Sequence, residues 1–213
     1  MYHTLVLDQS ICAGMQDYLH SGYDTRLSPD FKLSRTTSVE ICGRGGLTVT
    51  RLMANGVALL NSIMGRVSKE PDIIFLQVGG NDFPRTARNQ RDADAFFLQL
   101  LELASLLNDR YKAKRVVVGC ILPRFSAHRS WRGLSPLEVR QYSGWAQAVN
   151  TGLPEHSQKL PHITVWKHNA KFTFRESRRG LFSDDGVHLS TQGQYLLYKS
   201  IRGAMIAACH SLQ

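Results

Sequence analysis

Asp72-Ile73-Ile74-Phe75-Leu76-Gln77-Val78-Gly79-Gly80-Asn81-Asp82 is a short run, apolar on both faces, that breaks on two glycines and then on two polar side chains. A strand in the middle of a parallel sheet reads this way, because helices cover it above and below. Working outward, Thr4–Leu7, Ser38–Cys42, Arg115–Ile121 and Ile163–Trp166 read as further strands. Between them the apolar spacing changes to that of helices. Helical stretches are expected over Ile11–His20, Thr48–Met64 (through Leu52, Leu59, Leu60 and Ile63), Asp92–Tyr111, Pro136–Lys159 and Thr191–Cys209. Five strands alternating with five helices, without repeats or low-complexity linkers, predict one α/β domain over residues 1–213 with a parallel sheet. Ligands of such sheets bind beyond the carboxyl ends of the strands. The residues just after each strand therefore matter most, together with the long irregular stretches Gly22–Phe31, Arg124–Ser135 and Lys167–Asp184.

Four strand ends carry polar or glycine insertions. Asp8-Gln9-Ser10 follows the first strand, with Ser10 at the opening of a helix. A serine there is a helix cap or a nucleophile exposed on a tight turn. Gly43, Gly45 and Gly46 follow the second strand and either end it or let a ligand approach the backbone. Asn81 follows the third strand and offers a neutral N–H donor of the kind that suits an oxyanion hole. After the fifth strand and its long loop comes Asp185-Gly186-Val187-His188. An Asp and a His three residues apart on a turn place a carboxylate against an imidazole, which is how a general base for a serine nucleophile is oriented.

These blocks resemble those of the SGNH (GDSL-type) hydrolase superfamily, which is named for Ser, Gly, Asn and His and carries them in this order. Ser10 matches the nucleophile block and Gly46 the glycine block, while Gly79-Gly80-Asn81-Asp82 and Asp185-x-x-His188 are unmodified. The resemblance implies a flavodoxin-like three-layer α/β/α sandwich with a five-stranded parallel sheet. It also implies a serine esterase acting on small acyl or acetyl esters. Ser10 would attack, His188 would act as base, and Asp185 would orient it. The N–H groups of Ser10 and Gly46 and the Asn81 side chain would hold the oxyanion, with no cofactor and no metal. One block departs from the pattern: Asp8-Gln9-Ser10 stands where the family has Gly-Asp-Ser. The stretch Asp185–Tyr198 is also similar to esterase domains carried by some animal retroelements.

Composition bounds the rest. The chain has 26 Lys+Arg against 17 Asp+Glu, a net charge of +9, which favours approach to phosphates of nucleic acid or of an anionic membrane surface. Its arginines cluster as Arg85/Arg88/Arg91, Arg124/Arg129/Arg132 and Arg175/Arg178/Arg179. A second reading is therefore a catalytically impaired module that binds such a partner. A third is a phosphate-ester hydrolase using Asp8, Asp82 and Asp185 around Mg²⁺. The scattered Cys12, Cys42, Cys120 and Cys209 read as reduced thiols. Asp8 comes too early for a signal peptide and no apolar run is long enough to span a bilayer, so an intracellular protein is expected.

Overall fold

A computed structural model of the chain describes residues 2–9, 15, 19, 27–33, 37–83, 90–126, 134–168 and 171–213. Five strands form one sheet: β1 (Tyr2–Gln9), β2 (Thr37–Arg44), β3 (Ile73–Gln77), β4 (Arg115–Gly119) and β5 (Ile163–Trp166). Their order is β2-β1-β3-β4-β5 and every neighbouring pair is parallel. Four described helices accompany them: α1 (Val49–Met64), α2 (Gln90–Tyr111), α3 (Pro136–Ser157) and α4 (Thr191–His210). Of the helix expected over Ile11–His20 only Met15 and Leu19 lie within the described residues. Both are helical and buried.

The apolar strands alternate between two cores, as the period-2 geometry of a strand requires. Leu5, Leu7, Ile74, Leu76, Val116 and Val118 face one way, against Leu52 and Leu60 of α1, Leu100 and Leu103 of α2, and Trp145 and Val149 of α3. Val6, Ile73, Phe75 and Val117 face the other way, against Leu197, Ile201 and Met205 of α4, with Met15 and Leu19. The three layers are helices, sheet, helices, as expected. Among the described residues no helix is long and apolar enough to cross a membrane.

Two stretches differ from the sequence reading. Helix α1 is interrupted: Ala54 is extended, and Asn55, Gly56 and Val57 adopt left-handed backbone with φ of 50°, 60° and 61°. Asn and Gly take that conformation readily, whereas a β-branched Val does so at a cost. Val57 is nevertheless buried, so the apolar side chains on either side of the break all reach one core. The loop Lys167–Asp184 is not wholly irregular either, since Glu176–Leu181 forms a 3₁₀ helix.

Beneath the carboxyl end of the sheet lies a closed polar cluster. His168 bonds Gln77 Oε1 through Nε2 and the Ser200 hydroxyl through Nδ1, both at 3.0 Å, and Trp166 Nε1 donates to the same hydroxyl. Gln77 Nε2 in turn donates to the Cys120 carbonyl. Burial pushes the His168 imidazole down to about 4 from its ordinary 6.5, opposed by its bond at the Cys120 backbone. The unfolded chain therefore binds this proton first as pH falls, and folded-state stability drops between about pH 6.5 and 4. At about 1.4 kcal/mol per pKa unit the drop comes to roughly 3 to 4 kcal/mol. Chemical denaturation across this range should show a smaller acid-side loss in His168→Gln than in the parent chain; parallel curves would contradict the assignment.

Candidate functional site

All five strands run the same way, so their carboxyl ends share one edge. Register makes three of them level there: Asp8 of β1 pairs with Gly43 of β2 and with Gln77 of β3. Ser10 follows β1 directly and, with Cys12, lies outside the described residues, as do Arg85, Arg88, Arg129, Trp131 and Arg132.

The turn after β2 is built on Gly46. Its φ of 68° is left-handed, where a side chain would be strained. Its carbonyl accepts from Arg51 Nη1 at 3.0 Å, and Thr48 caps α1 by accepting the Arg51 N–H. The turn after β3 is a 3₁₀ turn over Gly80–Asp82. Asn81 Nδ2 donates to the Leu47 carbonyl at 3.3 Å, which sets the carboxamide against the residue after Gly46. Asp82 makes the second link, accepting from the Val49 and Thr50 N–H groups at 3.1 and 3.3 Å. A carboxylate on a helix N-terminus is the arrangement that a helix dipole favours. Burial nevertheless pushes the Asp82 carboxyl up to about 6, against these backbone bonds.

Asp185 and His188 meet as their spacing predicts. Asp185 Oδ2 lies 2.5 Å from His188 Nδ1, while Oδ1 accepts from the Ser183 hydroxyl and from the Val187 and His188 N–H groups at 2.8 to 2.9 Å. Partial burial raises the carboxyl, but the His188, Val187 and Ser183 bonds outweigh it and hold it well below the ordinary carboxylate range. The imidazole is therefore held through Nδ1 by an ionised group, and Nε2 is the nitrogen left to face a reactant. His188 is about half exposed. It sits two residues before Ser190, which caps α4. The turn needs glycine at 186: φ is 71°, and a Cβ there would stand 2.0 Å from the Phe125 carbonyl oxygen.

Residues that sequence reasoning left among the surface arginines complete the scaffold. Arg179 gathers the carbonyls of Phe182, Ser183 and Asp184 at 3.2, 2.6 and 3.0 Å, holding the segment that enters the Asp185 turn. Arg124 Nη2 donates to Asn81 Oδ1 at 2.7 Å. Its neighbour Phe125 donates its N–H to the Gly186 carbonyl at 2.9 Å. The segment after β4 thus touches both the Asn81 turn and the His188 turn. Phe125 packs on Phe182, with ring centroids 5.0 Å apart, and so joins the segment after β4 to the one that enters the Asp185 turn.

Asp8, considered above as one of three carboxylates around Mg²⁺, is wholly buried. Asp82 and Asp185 serve separate turns, and among the described residues no group of three His, Cys, Asp or Glu side chains gathers to hold a metal. Cys42, Cys120 and Cys209 are free thiols; burial raises Cys120 to about 11, with only a small opposing effect from Lys167.

Comparison with solved structures finds the same fold in other proteins. A GDSL-like lipase from Bacteroides thetaiotaomicron aligns with a TM-score of 0.64 at 20% identity, covering 97% of this chain and 89% of that one. Phospholipase A1 from Streptomyces albidoflavus aligns at 0.59 and 19% identity, over 94% and 99% of the two chains. An extracellular lipase from Streptomyces rimosus aligns at 0.56 and 17%, over 95% and 100%. No curated protein matches the chain by sequence. The profile of the GDSL-like lipase/acylhydrolase family, however, matches residues 9–196, and the chain belongs to that family.

Proposed function

We propose that the protein is a serine esterase that hydrolyses small acyl or acetyl esters, with Ser10 as nucleophile. The observation that carries this reading is the Asp185–His188 pair, an imidazole held by an ionised carboxylate, with Ser10 following β1 in the sequence. In the first half-reaction His188 Nε2 takes the Ser10 hydroxyl proton as Oγ bonds the ester carbonyl carbon. The resulting oxyanion is held by the N–H groups of Ser10 and Gly46 and by Asn81 Nδ2. The imidazolium returns its proton to the departing alcohol as the C–O bond breaks, leaving an acyl-enzyme. Water, deprotonated by the same nitrogen, then releases the acid. Asp185 stays ionised throughout and stabilises the imidazolium.

A second reading, binding of nucleic acid or of an anionic membrane surface, draws on the +9 charge and on exposed Arg175 and Arg178, at the start of and within the 3₁₀ segment before the His188 turn. The two readings are compatible if the chain is the esterase segment of a retroelement protein. Phosphate-driven binding would fall steeply between 50 and 200 mM salt, on the order of a thousand-fold for several contacts.

Hydrolysis of a p-nitrophenyl acetate-to-octanoate series should fall to background in Ser10→Ala, a loss of at least about 1000-fold. Covalent labelling by a serine-directed phosphonate should vanish with it. Equal rates in both proteins would sink the esterase reading. Asp185→Asn should keep the fold and lower kcat by roughly 10⁴-fold, because the amide favours the wrong tautomer of His188.

A further inference from the structure

The bond between Arg124 and Asn81 has a consequence for the oxyanion donor. A carboxamide presents an acceptor on one side and donors on the other, and a half-turn about its last torsion exchanges them. Asn81 can stabilise an oxyanion only with Nδ2 toward the reacting carbonyl. Two neighbours hold it against the exchange. Arg124 Nη2 donates to Oδ1 at 2.7 Å, and the Leu47 carbonyl accepts from Nδ2 at 3.3 Å. The reversed amide would set its N–H groups against a guanidinium that has only donors, and its oxygen against a carbonyl that has only lone pairs. The charged contact is the stronger of the two.

Arg124 is itself held in place. Its guanidinium carbon lies 5.1 Å from the centre of the Tyr142 ring. Tyr142 is fully buried, donates to the Leu122 carbonyl at 2.8 Å and packs edge-on against Phe83, two residues from Asn81. One residue beyond Arg124, the Phe125 N–H is bonded to Gly186 inside the Asp185–His188 turn. The guanidinium therefore spans from the segment anchored on the base's turn to the side chain that would receive the oxyanion.

We propose that Arg124 is a positioning residue: its guanidinium pins Asn81 Oδ1 and so presents the Nδ2 edge to the reacting carbonyl. The catalytic part of this inference rests on the esterase reading, whereas the orientation of the amide does not. Lysine in its place keeps the charge on a flexible point donor and restores the effect only in part.

The test is a double-mutant cycle joined to a structural readout. Arg124→Met should lower kcat by about 10- to 100-fold and leave KM within about 3-fold; Arg124→Lys should recover part of the loss. In an Asn81→Ala background, itself about 100- to 1000-fold slower, Arg124→Met should cost less than about 2-fold more. Equal costs in both backgrounds, or an effect on KM alone, would overturn the proposal. The side-chain amide signals of Asn81 in an ¹⁵N–¹H spectrum, assigned by their absence in Asn81→Ala, give an answer that needs no turnover. Arg124→Met should shift them and speed their hydrogen exchange, with intermediate values in Arg124→Lys if the methionine variant folds poorly. Unchanged signals in both variants would overturn the proposal even in an active enzyme. Equal inactivity of the parent and Ser10→Ala, with the signals shifted as expected, would remove the esterase reading and leave the positioning standing.

Discussion

Parallel pairing of β1 with both β2 and β3 is the constraint from which the site follows. A parallel ladder sends every strand's carboxyl end to the same edge, and the register sets Asp8 level with Gly43 and Gln77. The chain must turn there after each strand, so short sequence blocks far apart in the chain become neighbours. Position alone would leave those turns loosely related. Asp82 joins two of them, since the carboxylate after β3 caps the helix that follows β2. Arg124 and Phe125, after β4, tie in the Asn81 and His188 turns. The turns after β2 and β3 and the His188 turn are thus each held by a residue from a different strand end.

Legibility in the sequence follows the range of the interaction. The strands announced themselves because their burial on both faces leaves an unbroken apolar run, and Ile73–Leu76 needs no partner to be recognised. Asp185 and His188 were legible because their contact is local: a spacing of three on a turn brings the groups together wherever the turn sits. Arg124 and Arg179 were not. Both fell into clusters that read as surface charge, since nothing in the neighbouring residues says that a guanidinium will meet Asn81 Oδ1 or the carbonyls of 182–184. The break in α1 lies between these cases. Asn55-Gly56 is a turn signal, but Leu52, Leu60 and Met64 stay buried across it, and the helical spacing hid the interruption.

Two carboxylates at this edge carry opposite shifts, and the reason is the kind of donor each one finds. Asp82 is mostly desolvated and meets backbone N–H groups of one helix end, so its carboxyl lies near 6. Asp185 is more exposed and collects a hydroxyl, two N–H groups and an imidazole, so its carboxyl is lowered. Because Asp82 binds its proton more tightly folded than unfolded, its ionisation costs stability as pH rises from about 4 through 6. Asp185 works the other way: its contribution is present at neutral pH and fades only as acid protonates it. The group assigned to hold the imidazole is the one whose charge the fold protects.

The departure of Asp8-Gln9-Ser10 from Gly-Asp-Ser has a steric answer in the same register. Asp8 lies on the face of β1 that carries Val6, the face covered by α4. Its cross-strand neighbours there are Gly43 and Gln77. Gly43 has no side chain, nor has Gly119, one residue beyond the Leu76–Val118 pair, where a Cβ would stand 2.2 Å from Gln77 Oε1 and displace it. The row Gly43, Asp8, Gln77, Gly119 therefore sets two polar residues between two glycines across four strands, just above the apolar row of Val6, Phe75 and Val117. The neighbour of Asp8 on β2 is glycine, with no side chain to crowd it, and its polar group joins a layer that already holds Gln77 and His168. Asp8 sits where the apolar core gives way to the polar edge of the sheet, two residues before Ser10 in the sequence.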